Sequence, residues 1–237
     1  MKPSTGKTYQ HLFFDLDHTL WDFETNAEHT MRSVYAEFML DEKINAGFDI
    51  FFKNYSVHNK LLWDRYQKGF IGVEELKWKR MWRTLLDFKI GDESLARSMS
   101  VRFLEILPTQ NRTFPHTHEI LTYLKEKNYR LHLITNGFEK TQRSKLQHSQ
   151  IDHFFDCMIT SENSNSMKPN PAIFAHALQE SGASVDTSIM IGDNPEADIE
   201  GAANAGWDTV FVNHIQAEPI QQATFEVTHL SELATIF

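Results

Sequence analysis

A chain of 237 residues, 41% of them hydrophobic and 23% charged, has the composition of a folded protein with a sizeable core, which excludes wholesale disorder. Its 23 basic and 32 acidic residues give a net charge of -9, which argues against a nucleic acid polymer or a membrane as partner. The single cysteine, Cys157, excludes an intramolecular disulfide framework, and the lack of a long apolar run predicts a cytoplasmic protein.

The first predicted strand covers residues 9–14, an apolar-rich run that is typical of a buried parallel strand and that ends at Asp15 and Asp17. After Leu20 the apolar residues recur at the spacing of helices, and no segment up to about residue 107 has a strand pattern. We therefore predict a helical insert over residues 21–107.

From Phe114 onward the predicted helices and strands alternate. Strands are expected at residues 130–134, 157–160, 188–191 and 209–212, and helices at residues 116–127, 171–181 and 196–205. This alternation predicts an α/β fold with a mostly parallel sheet, which binds ligands beyond the carboxyl ends of its strands. We thus expect a core formed by residues 1–20 and 108–237 and a helical cap formed by residues 21–107.

Two carboxylates follow the first predicted strand. Asp15 and Asp17 are two residues apart, so in extended geometry both side chains project on the same side. Such a pair can hold a divalent metal ion between its carboxylates, or divide its roles between a nucleophile and a general acid. An acidic turn exposed to solvent is the alternative for this pair taken alone.

Three further polar sets follow later strands. Thr135 and Asn136 offer a hydroxyl group and an amide suited to phosphate oxygens, although a simple turn has the same composition. Lys168 supplies a positive charge ahead of a helix that a proline begins, a place where solvated lysines are also common. Asp193 and Asp198 add two carboxylates, of which Asp198 could simply interact with a helix dipole.

Together these sets resemble, in order, the four motifs of the haloacid dehalogenase (HAD) superfamily. The matching segments are Asp15-Leu16-Asp17-His18-Thr19, Thr135-Asn136, Lys168-Pro169 and Gly192-Asp193 with Asp198. The resemblance covers essentially the whole chain. It implies a Rossmann-like core with a parallel sheet and a helical cap inserted directly after the first motif.

The second aspartate of the first motif separates the phosphatases of this superfamily from its dehalogenases. The resemblance therefore implies that Asp15 attacks phosphorus to form an aspartyl phosphate, while Asp17 protonates the leaving oxygen and then activates water. It also implies magnesium (Mg²⁺) as cofactor, held by the Asp15 carboxylate, the Asp17 main-chain carbonyl and Asp193.

The remaining motif residues are implied to bind phosphate or to support the site. Thr135, Asn136 and Lys168 would bind the phosphate, while Asp198 and Asn194 would support the metal's water shell or orient the lysine. Four aspartates and a dianionic phosphate face one lysine in this site, so the nucleophile and the substrate would repel each other without the metal ion.

The substrate is implied by a weaker resemblance. Residues 58–69, Phe138 and residues 168–174 resemble the bacterial pyrimidine 5'-nucleotidases of the YjjG type, which implies a nucleoside 5'-monophosphate as substrate. Four of the five tryptophans could stack on a base or belong to a helical core: Trp21, Trp63, Trp78 and Trp82.

Two other functions remain open. A phosphatase or mutase acting on a sugar phosphate or another small phosphorylated metabolite would share all four motifs. A noncatalytic binding module would be expected to lose one of Asp15, Asp17, Lys168 or Asp193, and all four are present.

Overall fold

The computed structural model describes residues 6–216 and 222–237. The chain divides into two compact units, one formed by the residues up to Phe23 together with Asn111–Phe237 and one formed by Glu24–Gln110. Within the described residues, no helix combines the length and the apolar character that crossing a membrane requires.

Among its described residues, the first unit contains a sheet of six parallel strands. These are β1 (His11–Phe14), β2 (Arg130–Thr135), β3 (Cys157–Thr160), β4 (Ser188–Gly192), β5 (Asp208–Val212) and β6 (Phe225–Val227), in the spatial order β3-β2-β1-β4-β5-β6. The α/β fold and the five predicted strands are confirmed. The sequence does not predict β6, because its alternation of buried Phe225 and Val227 around exposed Glu226 covers only three residues, too few to indicate a strand.

The second unit is helical. Helix α1 (Phe23–Glu37) begins at the boundary, and α2 (Phe48–Gln67), α3 (Val73–Asp87) and α4 (Glu93–Ile106) follow. Two 3-10 turns, at Leu40–Glu42 and Leu107–Thr109, also belong to this unit. Helix α2 packs against α3, and α3 against α4. Large buried side chains fill this unit, among them Phe51, Tyr55 and Phe103.

The cap tryptophans lie outside that buried set. Trp63, Trp78 and Trp82 are half-buried, the rings of Trp78 and Trp82 are 6.0 Å apart, and the Arg97 guanidinium lies 4.0 Å from the Trp78 ring centre. By contrast, Trp21 in the first unit is fully buried. Base stacking by the three cap tryptophans stays a prediction.

Five helices complete the described part of the first unit. They are α5 (Thr117–Glu126), α6 (Glu139–His148), α7 (Pro171–Ser181), α8 (Gly201–Asn204), which a π-helical turn at Pro195–Glu200 precedes, and α9 (Leu233–Ile236). Single 3-10 turns of this unit lie at Asp152–Phe154, Val185–Thr187 and Leu230–Glu232. A buried apolar cluster that includes Phe13, Ile134, Ile159, Phe174 and Trp207 joins the strands to the helices.

The register of the central strands brings the predicted site residues to one edge of the sheet. Phe14 at the end of β1 pairs with Leu133 of β2 on one side and with Ile191 of β4 on the other. The segments that follow these three strands therefore leave the sheet side by side. The chain order reverses at β1, and such a switch point is where open α/β sheets bind their ligands.

Candidate active site

Lys168 lies at the centre of the site, and its side chain is almost completely buried. Its ammonium group donates to Asp15 Oδ1 at 2.6 Å, to Asp198 Oδ1 at 2.6 Å and to the main-chain oxygen of Ile134 at 2.7 Å. A lysine has three N–H donors, so these bonds engage all of them. Lys168 therefore brings a positive charge to the cluster and fixes two carboxylates.

Asn136 holds the backbone of Lys168 in place. Its amide Nδ2 donates to the Lys168 main-chain oxygen at 2.9 Å, and its Oδ1 accepts from the Lys168 N–H at 2.8 Å. Both ends of this amide are thus engaged in positioning the lysine. Phosphate binding by Asn136, which the sequence predicts, stays a prediction.

The carboxyl group of Asp193 lies beside that of Asp15. Thr19, which is fully buried, donates from Oγ1 to Asp193 Oδ1 at 2.8 Å, a contact that ties the loop after β1 to the loop after β4. Thr19 belongs to the first motif, but the sequence alone predicts no role for it. Its hydroxyl group fixes the rotamer of an aspartate that follows a different strand.

The π-helical turn begins with a dense set of hydrogen bonds. Asn194 Oδ1 accepts from two main-chain N–H groups of the turn, at 2.9 and 3.1 Å, and the Asn194 N–H donates to Asp198 Oδ2 at 3.0 Å. A Cβ atom at Gly192 would lie 2.3 Å from Asp198 Oδ2. Only glycine at this position leaves room for the carboxylate that orients Lys168.

The donor set of this cluster fits a hard divalent cation. One oxygen each of Asp15, Asp193 and Asp198 lie within 4.8 Å of one another. Asp198 engages both oxygens with Lys168 and Asn194, whereas Asp15 and Asp193 each engage Oδ1 with a side-chain donor. Carboxylate oxygens are the ligands that Mg²⁺ prefers, so Asp15 and Asp193 fit as ligands and Asp198 as support.

Burial dominates the electrostatics of the cluster. It raises the pKa of Asp15 well above its ordinary value although the positive charge of Lys168 opposes the change, and it raises the pKa of Asp193 to about 7. Burial alone would lower the pKa of Lys168, but Asp15 and Asp198 outweigh it and raise that pKa. A cation between the carboxylates would favour their ionised forms.

The hydroxyl group of Thr135 is oriented by two donors. Its Oγ1 accepts from the Gly137 N–H at 3.1 Å and from Gln142 Nε2 at 2.8 Å. These bonds occupy both acceptor positions of the hydroxyl oxygen, so its hydrogen is left to donate elsewhere. Thr135 is therefore arranged as a hydrogen-bond donor, the property that a phosphate oxygen requires.

Asp17 is held by two side chains that sequence reasoning missed. Lys145 Nζ donates to Asp17 Oδ1 at 2.6 Å, and Gln142 Nε2 donates to Asp17 Oδ2 at 2.9 Å. Burial by itself raises the pKa of Asp17, but the charge and hydrogen bond of Lys145 and the hydrogen bond of Gln142 bring it below its ordinary value. Lys145 also adds a second positive charge to a site for which the sequence predicted one.

One feature of the sequence does point to these two residues as part of the site. They are three residues apart in a helix that directly follows the Thr135-Asn136-Gly137 segment, a spacing that places both on one helix face. A polar helix of this kind is usually solvated, and only the packing of α6 against the site shows that both side chains are buried.

The sequence is similar to those of known hydrolases. The model of the haloacid dehalogenase-like hydrolases matches residues 9–206. The pyrimidine 5'-nucleotidase PynA of Streptococcus pneumoniae is 31% identical over 95% of this chain and 93% of its own, and a glyceraldehyde 3-phosphate phosphatase of Methanothermobacter thermautotrophicus is 29% identical over 95% and 96%. These findings confirm the predicted resemblance to the pyrimidine 5'-nucleotidases.

A solved structure is similar over the same length. The HAD-hydrolase YfnB of Bacillus subtilis, determined with bound magnesium, superposes with a TM-score of 0.86 and 26% identity, covering 97% of this chain and 99% of its own. The family model spans most of the chain, including all four segments at the strand ends. The protein belongs to the haloacid dehalogenase-like hydrolases.

Proposed function

We propose that the protein is a magnesium-dependent phosphatase that hydrolyses nucleoside 5'-monophosphates through an aspartyl phosphate on Asp15. The observation that carries the proposal is the pairing of each aspartate of the first motif with its own buried lysine. Asp15 is bound by Lys168 and Asp17 by Lys145. Two adjacent carboxylates with separate environments are suited to two different roles.

In the proposed reaction an Asp15 carboxylate oxygen attacks phosphorus, and the bond between phosphorus and the ester oxygen breaks. Asp17 is ionised before the ester binds, because Lys145 and Gln142 lower its pKa, so it takes up a proton when the anionic phosphate binds and gives that proton to the leaving oxygen. In the second half Asp17 takes a proton from water while the water oxygen bonds to phosphorus and the bond to Asp15 breaks. Both aspartates return to their initial state, and the products are an alcohol and inorganic phosphate.

The surrounding residues would hold the phosphate group and balance its charge. The Thr135 hydroxyl is oriented to donate to a phosphate oxygen, and Lys168 brings its charge to the nucleophile. Mg²⁺, held by Asp15, Asp193 and the Asp17 main-chain carbonyl, would supply the positive charge that the acidic cluster lacks. Magnesium in the similar YfnB structure supports this assignment.

The choice of a nucleotide as substrate rests on relatives. PynA, a pyrimidine 5'-nucleotidase, matches this chain over nearly its full length, including the helical unit. A second candidate is a phosphatase for a phosphorylated sugar or triose, which the similarity to a glyceraldehyde 3-phosphate phosphatase favours. Both candidates use the same catalytic residues and differ in what the leaving group contacts.

Phosphate release from a panel of nucleoside monophosphates and sugar phosphates tests the proposal. We expect release that requires Mg²⁺, is strongest with pyrimidine monophosphates and is lost in Asp15→Asn. Release mainly from sugar or triose phosphates would keep the chemistry and reject the nucleotidase assignment. Release that persists with a chelator present or in Asp15→Asn would contradict the mechanism, and no release from any ester would reject the function.

A further inference from the structure

Both oxygens of the Asp17 carboxylate are bound by the same face of helix α6. Lys145 Nζ lies 2.6 Å from Oδ1 and Gln142 Nε2 lies 2.9 Å from Oδ2. A carboxylate with one donor on each oxygen cannot rotate about its terminal bond without breaking a contact. The plane of the Asp17 carboxylate is thus fixed by α6 rather than by its own loop.

Lys145 is buried, so the contact with Asp17 requires an ammonium group to be removed from water. Its side chain is 3% exposed, and its ammonium nitrogen lies 4.4 Å from the Trp21 ring centre. A buried ammonium group is unfavourable unless a carboxylate compensates it, and within the described residues only Asp17 forms an ion pair with Lys145. By contrast, the ion pair of Arg143 and Glu139 on the same helix is exposed to solvent.

Gln142 links Asp17 to Thr135. Its fully buried Nε2 also donates to Thr135 Oγ1 at 2.8 Å, so one amide group touches both the acid–base residue and the residue assigned to phosphate. The Asp17 carboxylate only accepts hydrogen bonds, which sets the orientation of the amide. Its Oε1 is left buried with no hydrogen-bond partner among the described residues, a cost that the other two contacts offset.

We propose that Lys145 and Gln142 are positioning residues that aim the Asp17 carboxylate at the leaving-group oxygen. The inference rests on the proposed function, because it concerns the proton that Asp17 transfers there. A carboxylate has about four acceptor directions, so the two contacts from α6 leave others for that proton. Loss of these contacts should therefore lower the rate most for esters whose leaving group must be protonated.

Two esters separate this role from a purely structural one. A nucleoside 5'-monophosphate releases a strongly basic alkoxide that must be protonated, whereas p-nitrophenyl phosphate releases a stable phenolate that needs no proton. We expect Lys145→Met to lower kcat for the nucleotide by about 100-fold or more and kcat for the aryl ester by less than about tenfold, with KM changed little. Lys145→Arg restores part of the lost rate.

The controls are a matched variant and the acid–base residue. Arg143→Met, which removes the exposed pair on the same helix, leaves both rates unchanged. Asp17→Asn shows the same preference for the aryl ester, and adding Lys145→Met to it produces no further loss in the ratio of the two rates. If Lys145→Met does not fold, Gln142→Leu is measured instead, with the same selective loss expected.

Equal losses on both esters, or full activity in the variants, would overturn the inference while leaving the proposed function intact. If the native protein hydrolyses neither ester, the proposed function fails first and the inference falls with it. The rates of the native protein on the two esters therefore distinguish the two failures.

Discussion

A buried histidine in the sheet makes the stability of the protein dependent on pH. His132 on β2 is fully buried, its Nε2 lies 3.0 Å from His11 Nδ1, and its Nδ1 lies 3.0 Å from Cys157 Sγ. Its ring stacks on Phe13 with ring centres 4.6 Å apart. Burial, followed by the neighbouring His11, lowers the pKa of His132 to about 4 from the ordinary 6.5.

The sign and size of the effect follow from proton binding. Between pH 6.5 and about 4 the unfolded chain protonates this histidine and the folded protein does not, so the free energy of unfolding rises with pH in that range. The contribution is complete above pH 6.5 and is lost as the pH falls toward 4. At about 1.4 kcal/mol for each pH unit, the loss reaches about 3 kcal/mol.

Urea unfolding at a series of pH values between 4 and 7.5, for the native protein and His132→Gln, measures this contribution. The native protein should lose about 3 kcal/mol more than the variant across that range. Proton NMR of the folded protein, with the His132 signal assigned by its absence in the variant, reports the ionisation directly. A His132 signal that titrates near pH 6.5, or equal pH slopes for the two proteins, would refute the reasoning.

Three further predictions concern glycine packing, a helix cap and the metal ion. Gly192→Ala places a Cβ atom 2.3 Å from Asp198 Oδ2, and we expect a lower rate of phosphate release and about 1–3 kcal/mol less stability, while Gly91→Ala, which has open space, has neither effect. Asp92 caps α4 through the Leu95 N–H at 2.9 Å, so Asp92→Ala should cost about 1 kcal/mol in thermal unfolding and Asp92→Ser much less. Mg²⁺ should raise the melting temperature of the native protein but not that of Asp193→Asn, and an unchanged native melting temperature would contradict the metal assignment.

Five of the six strands described, most helices and the candidate residues at the strand ends can be predicted from the sequence. Helix α7, for example, spans Pro171–Ser181 as predicted, because a proline begins it and apolar residues recur through it. The buried strands are apolar runs that polar residues terminate, as at Asp15 after β1. These patterns arise from steric and hydrogen-bonding preferences between residues close in sequence, and such preferences do not depend on the overall fold.

The partners of the polar side chains follow from tertiary packing and not from the sequence. Lys145 and Asp17 are 128 residues apart, and nothing near either one in the chain marks the other as its partner. In the same way, the sequence does not indicate that Asn136 holds the backbone of Lys168 with both ends of its side-chain amide. A side chain's partner depends on which distant segments the sheet brings together, and the local sequence does not predict this.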